Sequence, residues 1–162
     1  HGWFDKRWMF EESFKMPFVI RWPGTIEPNS RPTALIQNID YAPTFLEMAG
    51  LDTPAEVQGQ SIVPALKNSS QQLRDALYYA YYELGEHAVP QHFGVRTQMH
   101  KLFYLPETNE WQMFDLVNDP QEMTNIYGQP SAKAVQAKLH ARYDALRKQY
   151  DAPTYEAYAP RK

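Results

Sequence analysis

Asp5-Lys6-Arg7 places three charges of mixed sign in a row, between Trp3-Phe4 on one side and Trp8-Met9-Phe10 on the other. A lysine held between an aspartate and an arginine can present a cation to an anionic group, and neighbouring opposite charges keep one another ionised. The same residues would also serve as a solvated charged turn beside aromatic core residues, and spacing alone does not separate the two. His87 and His92 lie five residues apart across Ala88-Val89-Pro90. Two metal ligands on one helix face need a four-residue step, so this is not such a pair. Either could be a lone histidine at a sheet edge. A loop histidine between rigid strands could also hydrogen-bond a hydroxyl or a leaving group. His100 and His140 read as surface residues. Arg96 reads as the partner of a structural carboxylate, and Asp115 and Asp119 as local caps. Glu11-Glu12 are adjacent, so they do not face one target as a catalytic carboxylate pair would. There is no Gly-rich phosphate loop and no nucleophile elbow.

These residues need elements to hold them. Residues 17–24, a short apolar run bounded by Pro17 and Pro23-Gly24, predict a buried strand. Asp40 is a candidate N-cap for a helix with Pro43 in its first turn, Ala42, Phe45, Leu46 and Ala49 on its buried face, and Gly50 as its stop. Ser61 to Leu66 predicts a short helix with Pro64 in its first turn. The polar stretch Asn68 to Gln72 is a candidate boundary. After it the pattern changes to short aromatic and β-branched runs at 77–83, 93–97, 101–105 and 111–116, which predict an antiparallel meander of about four strands. Ser131 is expected to cap a long helix whose stripe is Val135, Leu139, Tyr143, Leu146 and Tyr150. From Asp151 the chain reads as an extended tail.

With 162 residues, 43% of them hydrophobic and 14% aromatic, a core can form. A net charge of −3 argues against a nucleic-acid footprint. No apolar run is long enough for a transmembrane helix, so no membrane partner is expected. Without Cys there can be no disulfide scaffold or thiolate metal site. The chain does not begin with Met and opens inside a motif, which reads as a piece of a longer protein.

Taken in order, several stretches resemble the type I sulfatases, whose fold is the alkaline-phosphatase-like α/β fold. His1 to Ser13 resembles the segment that carries the family's sulfate-binding lysine, and Met16 to Gly24 the strand after it. Asn38 to Gly50 is similar to the next helix, and Gly59 to Leu66 to a G-x-S-L-x-P-L-L segment. Gly94-Val95-Arg96-Thr97, Tyr104 and Phe114-Asp115-Leu116 through Glu122 and Asn125 resemble the C-terminal subdomain, with its Y-D-L-x-x-D-P-x-E-x-x-N pattern. The Trp-Phe-Asp-Lys-Arg spelling and residues 85–96 look like the glycosaminoglycan-active members, N-acetylglucosamine-6-sulfatase-like enzymes above all.

The resemblance implies an α/β division with 1–72 as the C-terminal portion of the main domain, 73–150 as an antiparallel sheet plus helix, and 151–162 as a tail. It implies a sulfuric ester hydrolase, in which the hydrate of a formylglycine attacks sulfur while calcium and fixed cations steady the developing charge. By the same resemblance Lys6 is the catalytic, sulfate-binding residue, and Asp5, Arg7, His92 and His87 are substrate-binding candidates, with His92 preferred over His87. Formylglycine and the calcium ligands would lie upstream of His1, so this piece would be inactive alone. Its partners would be a sulfated carbohydrate and the missing N-terminal domain, in a periplasmic or secreted location. Two other readings stay open: a non-catalytic module that binds sulfated glycans, and a phosphoester or phosphonate hydrolase of the same superfamily.

Overall fold

The computed structural model describes residues 7–83 and 87–153. The chain divides into two compact units. One runs from Phe18 to Leu77; the other joins the N-terminal segment up to Pro17 to the chain from Tyr78 onward. The boundary therefore falls inside a strand, and residues 7–17 group with the sheet rather than with the segment next to them in sequence. This differs from the linear division at residue 72.

The second unit is built on four strands, β1 (Ala76–Tyr81), β2 (His92–Thr97), β3 (His100–Leu105) and β4 (Glu110–Asp115), in the order β1-β2-β3-β4. β2–β3 and β3–β4 are antiparallel, with Gly94 opposite Phe103 and Lys101 opposite both Arg96 and Phe114. All four strands fall where the aromatic and β-branched runs predicted them. Strand side chains alternate between faces, and here both faces are covered. Trp111 and Tyr78 meet Tyr143 of the long helix α4 (Lys133–Gln149), which also buries Leu139 and Leu146. On the other face Phe103 and Phe114 meet Phe10, at 5.7 and 5.9 Å. There Trp8, Met9 and Phe10 are inserted into a core with Tyr81, Val89 and Leu105.

Gly94 makes that insertion possible. A Cβ there would stand 2.5 Å from the Leu102 carbonyl oxygen and 2.5 Å from Met9 Sδ. The missing side chain is the space Met9 occupies.

The long helix begins one residue after the position expected, with Ala132 rather than Ser131 at its N-cap. Ser131 lies in a 3-10 turn (Pro130–Ala132) and makes no capping hydrogen bond; the Gln136 side chain instead accepts from the Gly128 N–H. Leu139, Tyr143 and Leu146 of the expected stripe are buried, whereas Val135 and Tyr150 are half-buried. Most of the expected tail lies outside the described residues.

Residues 17–24, which from Phe18 on belong to the other unit, do not form a strand, and Val19 is 91% exposed. An apolar run becomes a strand only where a neighbour completes its ladder, and among the described residues none does. A 3-10 turn (Asn38–Asp40) leads into α2 (Tyr41–Met48), which ends at Gly50 with φ +71° and the Leu51 N–H bonded back to the Leu46 carbonyl. Its buried face is Pro43 and Thr44 rather than the expected Ala42, Phe45, Leu46 and Ala49, and Phe45 is exposed. Asp40 does not cap α2 either. Its buried carboxylate accepts the N–H groups of Gln37 and Gln60 and a two-pronged contact from Arg74 at 2.5 and 2.7 Å. The Thr44 hydroxyl donates to the Asp40 carbonyl and accepts the Ile62 N–H, which seats α3 (Val63–Lys67). Gly59 is required here: a Cβ would lie 1.9 Å from the Ile39 carbonyl oxygen.

Candidate functional site

Arg7 is held in place by Tyr79 and by its own chain neighbours. The Tyr79 hydroxyl donates to the Arg7 carbonyl at 3.0 Å. Trp8 stacks on His92, with ring centroids 5.5 Å apart and planes 16° from parallel. Glu11 opens the one-turn helix α1 (Glu11–Phe14), and Phe14 packs edge-on against Tyr79 at 4.6 Å.

A buried ionic network anchors the turn. Glu11 accepts from Arg96 at 2.9 Å and pairs with Lys101 at 2.9 Å; Lys101 pairs with Glu122 at 2.6 Å; and Glu122 accepts the Glu11 backbone N–H at 2.6 Å. Lys101 is 0% exposed, so its charge is viable only because two carboxylates face it. Burial pushes the Glu11 carboxyl upward, but hydrogen bonds and charge from Arg96 and Lys101 outweigh it and hold Glu11 down at about 2. For Glu122 burial wins, and its carboxyl is pushed up despite Lys101.

The same network gives the D-L-x-x-D-P-x-E-x-x-N stretch a structural purpose. Asp115 caps the turn through the N–H groups of Val117 and Asn118, and Asp119 accepts from Thr124. Asn125 accepts from Met113 and Tyr127. These bonds aim Glu122, at φ +54°, back at α1. Arg96, Asp115 and Asp119 thus take the structural roles read from the sequence. His140 does not: it is half-buried, edge-on to Trp111 at 4.4 Å, with Nε2 3.2 Å from the Tyr127 hydroxyl.

Beyond this anchor lies a solvent-open cluster. Arg7 Nε stands 4.0 Å from Glu83 Oε2, His87 Nε2 stands 3.7 Å from the same oxygen, and the Tyr81 hydroxyl donates to it at 2.8 Å. The side chains of Arg7, Glu83 and His87 are 30%, 52% and 37% exposed. Burial, then the nearby Tyr81 and Glu83, push the Tyr79 phenol up to about 12, with Arg7 opposing. The cluster offers a guanidinium, an imidazole and a carboxylate to one ligand, a set suited to hydroxyl and anionic oxygens.

Arg7 and His87 both face the one Glu83 oxygen, at 4.0 and 3.7 Å. Asp5 and Lys6 lie outside the described residues, immediately before Arg7. His92, the preferred histidine, lies in the core. It is 0% exposed, with Nδ1 2.9 Å from the Pro90 carbonyl oxygen and its ring packed among Trp8, Tyr79 and Tyr81. Burial lowers its pKa. A ring sealed this way has no face for a ligand; it supports the floor on which Arg7 rests. The sequence reading passed over Glu83, whose signal was its place four residues before His87 at the end of an aromatic strand. It named Glu122 only within the family pattern and passed over Lys101, since the two carry no local signal as a pair.

Among the described residues no group of three or more His, Asp or Glu is placed to hold a metal ion. No described helix is long and apolar enough to cross a membrane.

Residues 1–149 match the family described as N-sulphoglucosamine sulphohydrolase, C-terminal. The chain is 43% identical over 155 residues to an N-acetylglucosamine-6-O-sulfatase of Bacteroides thetaiotaomicron, covering 93% of this chain and 28% of that protein. It is 40% identical over 67 residues to the human N-acetylglucosamine-6-sulfatase, covering 41% of this chain and 12% of that one. A solved complex of a protein with its substrate D-glucosamine-2-N,6-O-disulfate superposes with a TM-score of 0.89 at 43% identity, over 93% of this chain and 32% of that chain. A phosphonate monoester hydrolase of Agrobacterium radiobacter shares the fold at 21% identity, with a TM-score of 0.56 over 68% of this chain and 24% of that one. The chain thus spans less than a third of the curated sulfatase it matches over most of its length.

Proposed function

The chain belongs to the sulfatases, in the family of N-sulphoglucosamine sulphohydrolase C-terminal regions, and from that premise we propose that the protein it is part of hydrolyses sulfate esters on a glycosaminoglycan-type sugar. The observation that carries the reading is the solvent-open convergence of Arg7 and His87, directly after Lys6. A lysine ammonium stays charged well above neutral pH. At a sulfate it would stabilise negative charge building in the transition state. Asp5 and Arg7 flank it with an acceptor and a donor for sugar hydroxyls, and His87 adds a third contact. His92 has no part in substrate binding.

Calcium and formylglycine are assigned to the remainder of the parent protein. The described residues do not supply a metal-binding group, and the chain has no Cys. Bound in the parent, they would supply charge neutralisation and the nucleophile. Val19, Phe45 and Leu51 are exposed, and apolar surface of this kind is suited to being covered by that remainder. The parent is assigned to an exported compartment, where polymeric sulfated sugars are met.

The test is made on the full-length parent. Lys6→Ala is expected to lower turnover of D-glucosamine 6-sulfate by orders of magnitude while leaving the thermal unfolding midpoint in place. Near-normal turnover would overturn the assignment of Lys6. Faster hydrolysis of phosphate or phosphonate monoesters than of sulfate esters by the unaltered parent would overturn the reaction class. Binding of sulfated sugar without turnover would reduce the protein to a glycan-binding module.

A further inference from the structure

The Arg7, Tyr81 and His87 side chains reach toward a single atom, Glu83 Oε2. The three come from different places: Arg7 from the segment before α1, Tyr81 from β1, and His87 from the connection between β1 and β2. Without a common acceptor, two cationic or potentially cationic side chains in so small a space would repel each other and point apart. Glu83 lies just after β1, and the buried Tyr81 hydroxyl fixes one of its oxygens at 2.8 Å. The carboxylate is thereby held at one point while its half-exposed surroundings leave room for a ligand.

We propose that Glu83 is a positioning residue that sets specificity. It holds the Arg7 guanidinium and the His87 imidazole in a fixed relative geometry, so that both meet neighbouring hydroxyls of one pyranose ring. This rests on the reading of Arg7 and His87 as sugar contacts and adds to it the group that orients them. An oriented pair loses less side-chain freedom on binding than two independent long side chains. The gain appears only with a substrate that has ring hydroxyls to meet; an aryl sulfate has none. Glu83 touches no sulfate and moves no proton.

The experiment uses the full-length parent with two substrates, D-glucosamine 6-sulfate and 4-nitrophenyl sulfate, and reads the ratio of their kcat/KM values. Glu83→Gln keeps the size of the side chain and an acceptor for Tyr81 but removes the charge. It is expected to lower the ratio about fivefold, the scale of a partly exposed charge pair, mostly through KM for the sugar. In a His87→Ala background the same change is expected to lose most of its effect, because a residue that acts through another is non-additive with it. A merely structural role would slow both substrates alike and add in full to His87→Ala. Two outcomes overturn the inference alone: an unchanged ratio for Glu83→Gln while Arg7→Ala and His87→Ala lower it, or full additivity with His87→Ala. If Arg7→Ala and His87→Ala themselves leave the ratio unchanged, the sugar-contact reading falls and this inference falls with it.

Discussion

The Lys101 ammonium lies 2.6 Å from the Glu122 carboxylate, and both side chains are fully shielded from water. Lys101 sits in β3 and Glu122 in the loop after β4, yet through Glu11 the pair fixes the turn just beyond Arg7. Lys101→Met would leave Glu122 without its cation and Glu11 with Arg96 alone. Removing one partner of a buried pair costs about 3–5 kcal/mol. Chemical denaturation of the parent is expected to show a loss of that order. A change below about 1 kcal/mol would mean that the network adds no stability.

Glu11 adds a pH dependence. Its folded carboxyl is held at about 2 against an ordinary 4.5. The unfolded chain therefore binds the proton more readily, so this stability is complete above about 4.5 and is lost as the pH falls toward 2. Glu122, pushed up by burial, works in the opposite sense. Glu11→Gln isolates the first effect. The gap in unfolding midpoint between wild type and this variant is expected to narrow steadily from pH 5 down, and a constant gap would contradict the assignment.

His92 is expected to act on stability in a higher window. Burial lowers its folded pKa below the ordinary 6.5. Its contribution is then complete above about 6.5 and is lost as the pH falls through the folded value. His140, also lowered by burial, shares the sign. His92→Phe keeps an aromatic ring beside Trp8 and Tyr81 and removes the titration. It should flatten part of the fall in midpoint as the pH drops below about 6.5, while leaving the ratio of sugar to aryl sulfate turnover in place. A selective rise in KM for the sugar would restore His92 as a substrate contact.

Gly94→Ala places a methyl 2.5 Å from both Met9 Sδ and the Leu102 carbonyl oxygen. A destabilisation of about 1–3 kcal/mol is expected from such overpacking. Met9→Ala cannot relieve it fully, because the carbonyl belongs to the sheet backbone. The double variant is therefore expected to remain less stable than Met9→Ala alone, by equilibrium unfolding. Recovery to the Met9→Ala value would show that the thioether was the only obstacle.

Arg74→Met strands the Asp40 carboxylate, 0% exposed, with only the backbone donors of Gln37 and Gln60. About 3–5 kcal/mol is again the expected loss. Its signature is faster hydrogen exchange at Gln60 and Ile62, whose N–H groups are held at Asp40 and Thr44. Unchanged exchange there would separate the ion pair from the seating of α3.

The four strands and the long helix were legible because each is carried by a local pattern. Aromatic and β-branched runs separated by turns need only near neighbours to declare themselves, as does the Leu139, Tyr143, Leu146 stripe. Gly50 and Pro64 act through backbone geometry of their own. Readings failed where a residue's fate was set by something distant in sequence. Residues 17–24 have strand composition but no partner for a ladder. Asp40 has the chemistry of a cap, but Arg74 and Gln60 claim its carboxylate. Phe45 has the period of a core residue and is exposed.

The candidate site divides the same way. The order of residue types along the chain was enough to bring out the resemblance to sulfatases that the family match bears out, and Lys6, Asp5 and Arg7 became candidates only through it. Which of the two histidines is buried was decided by tertiary structure alone. His87 and His92 are five residues apart on one short stretch, and no local rule separates them. The pleat of β2 turns His92 beneath Trp8, into the core. His87 precedes the strand, escapes that alternation and stays at the surface with Glu83. Burial is a property of the groups that pack in from elsewhere, and a sequence states it only when its period does.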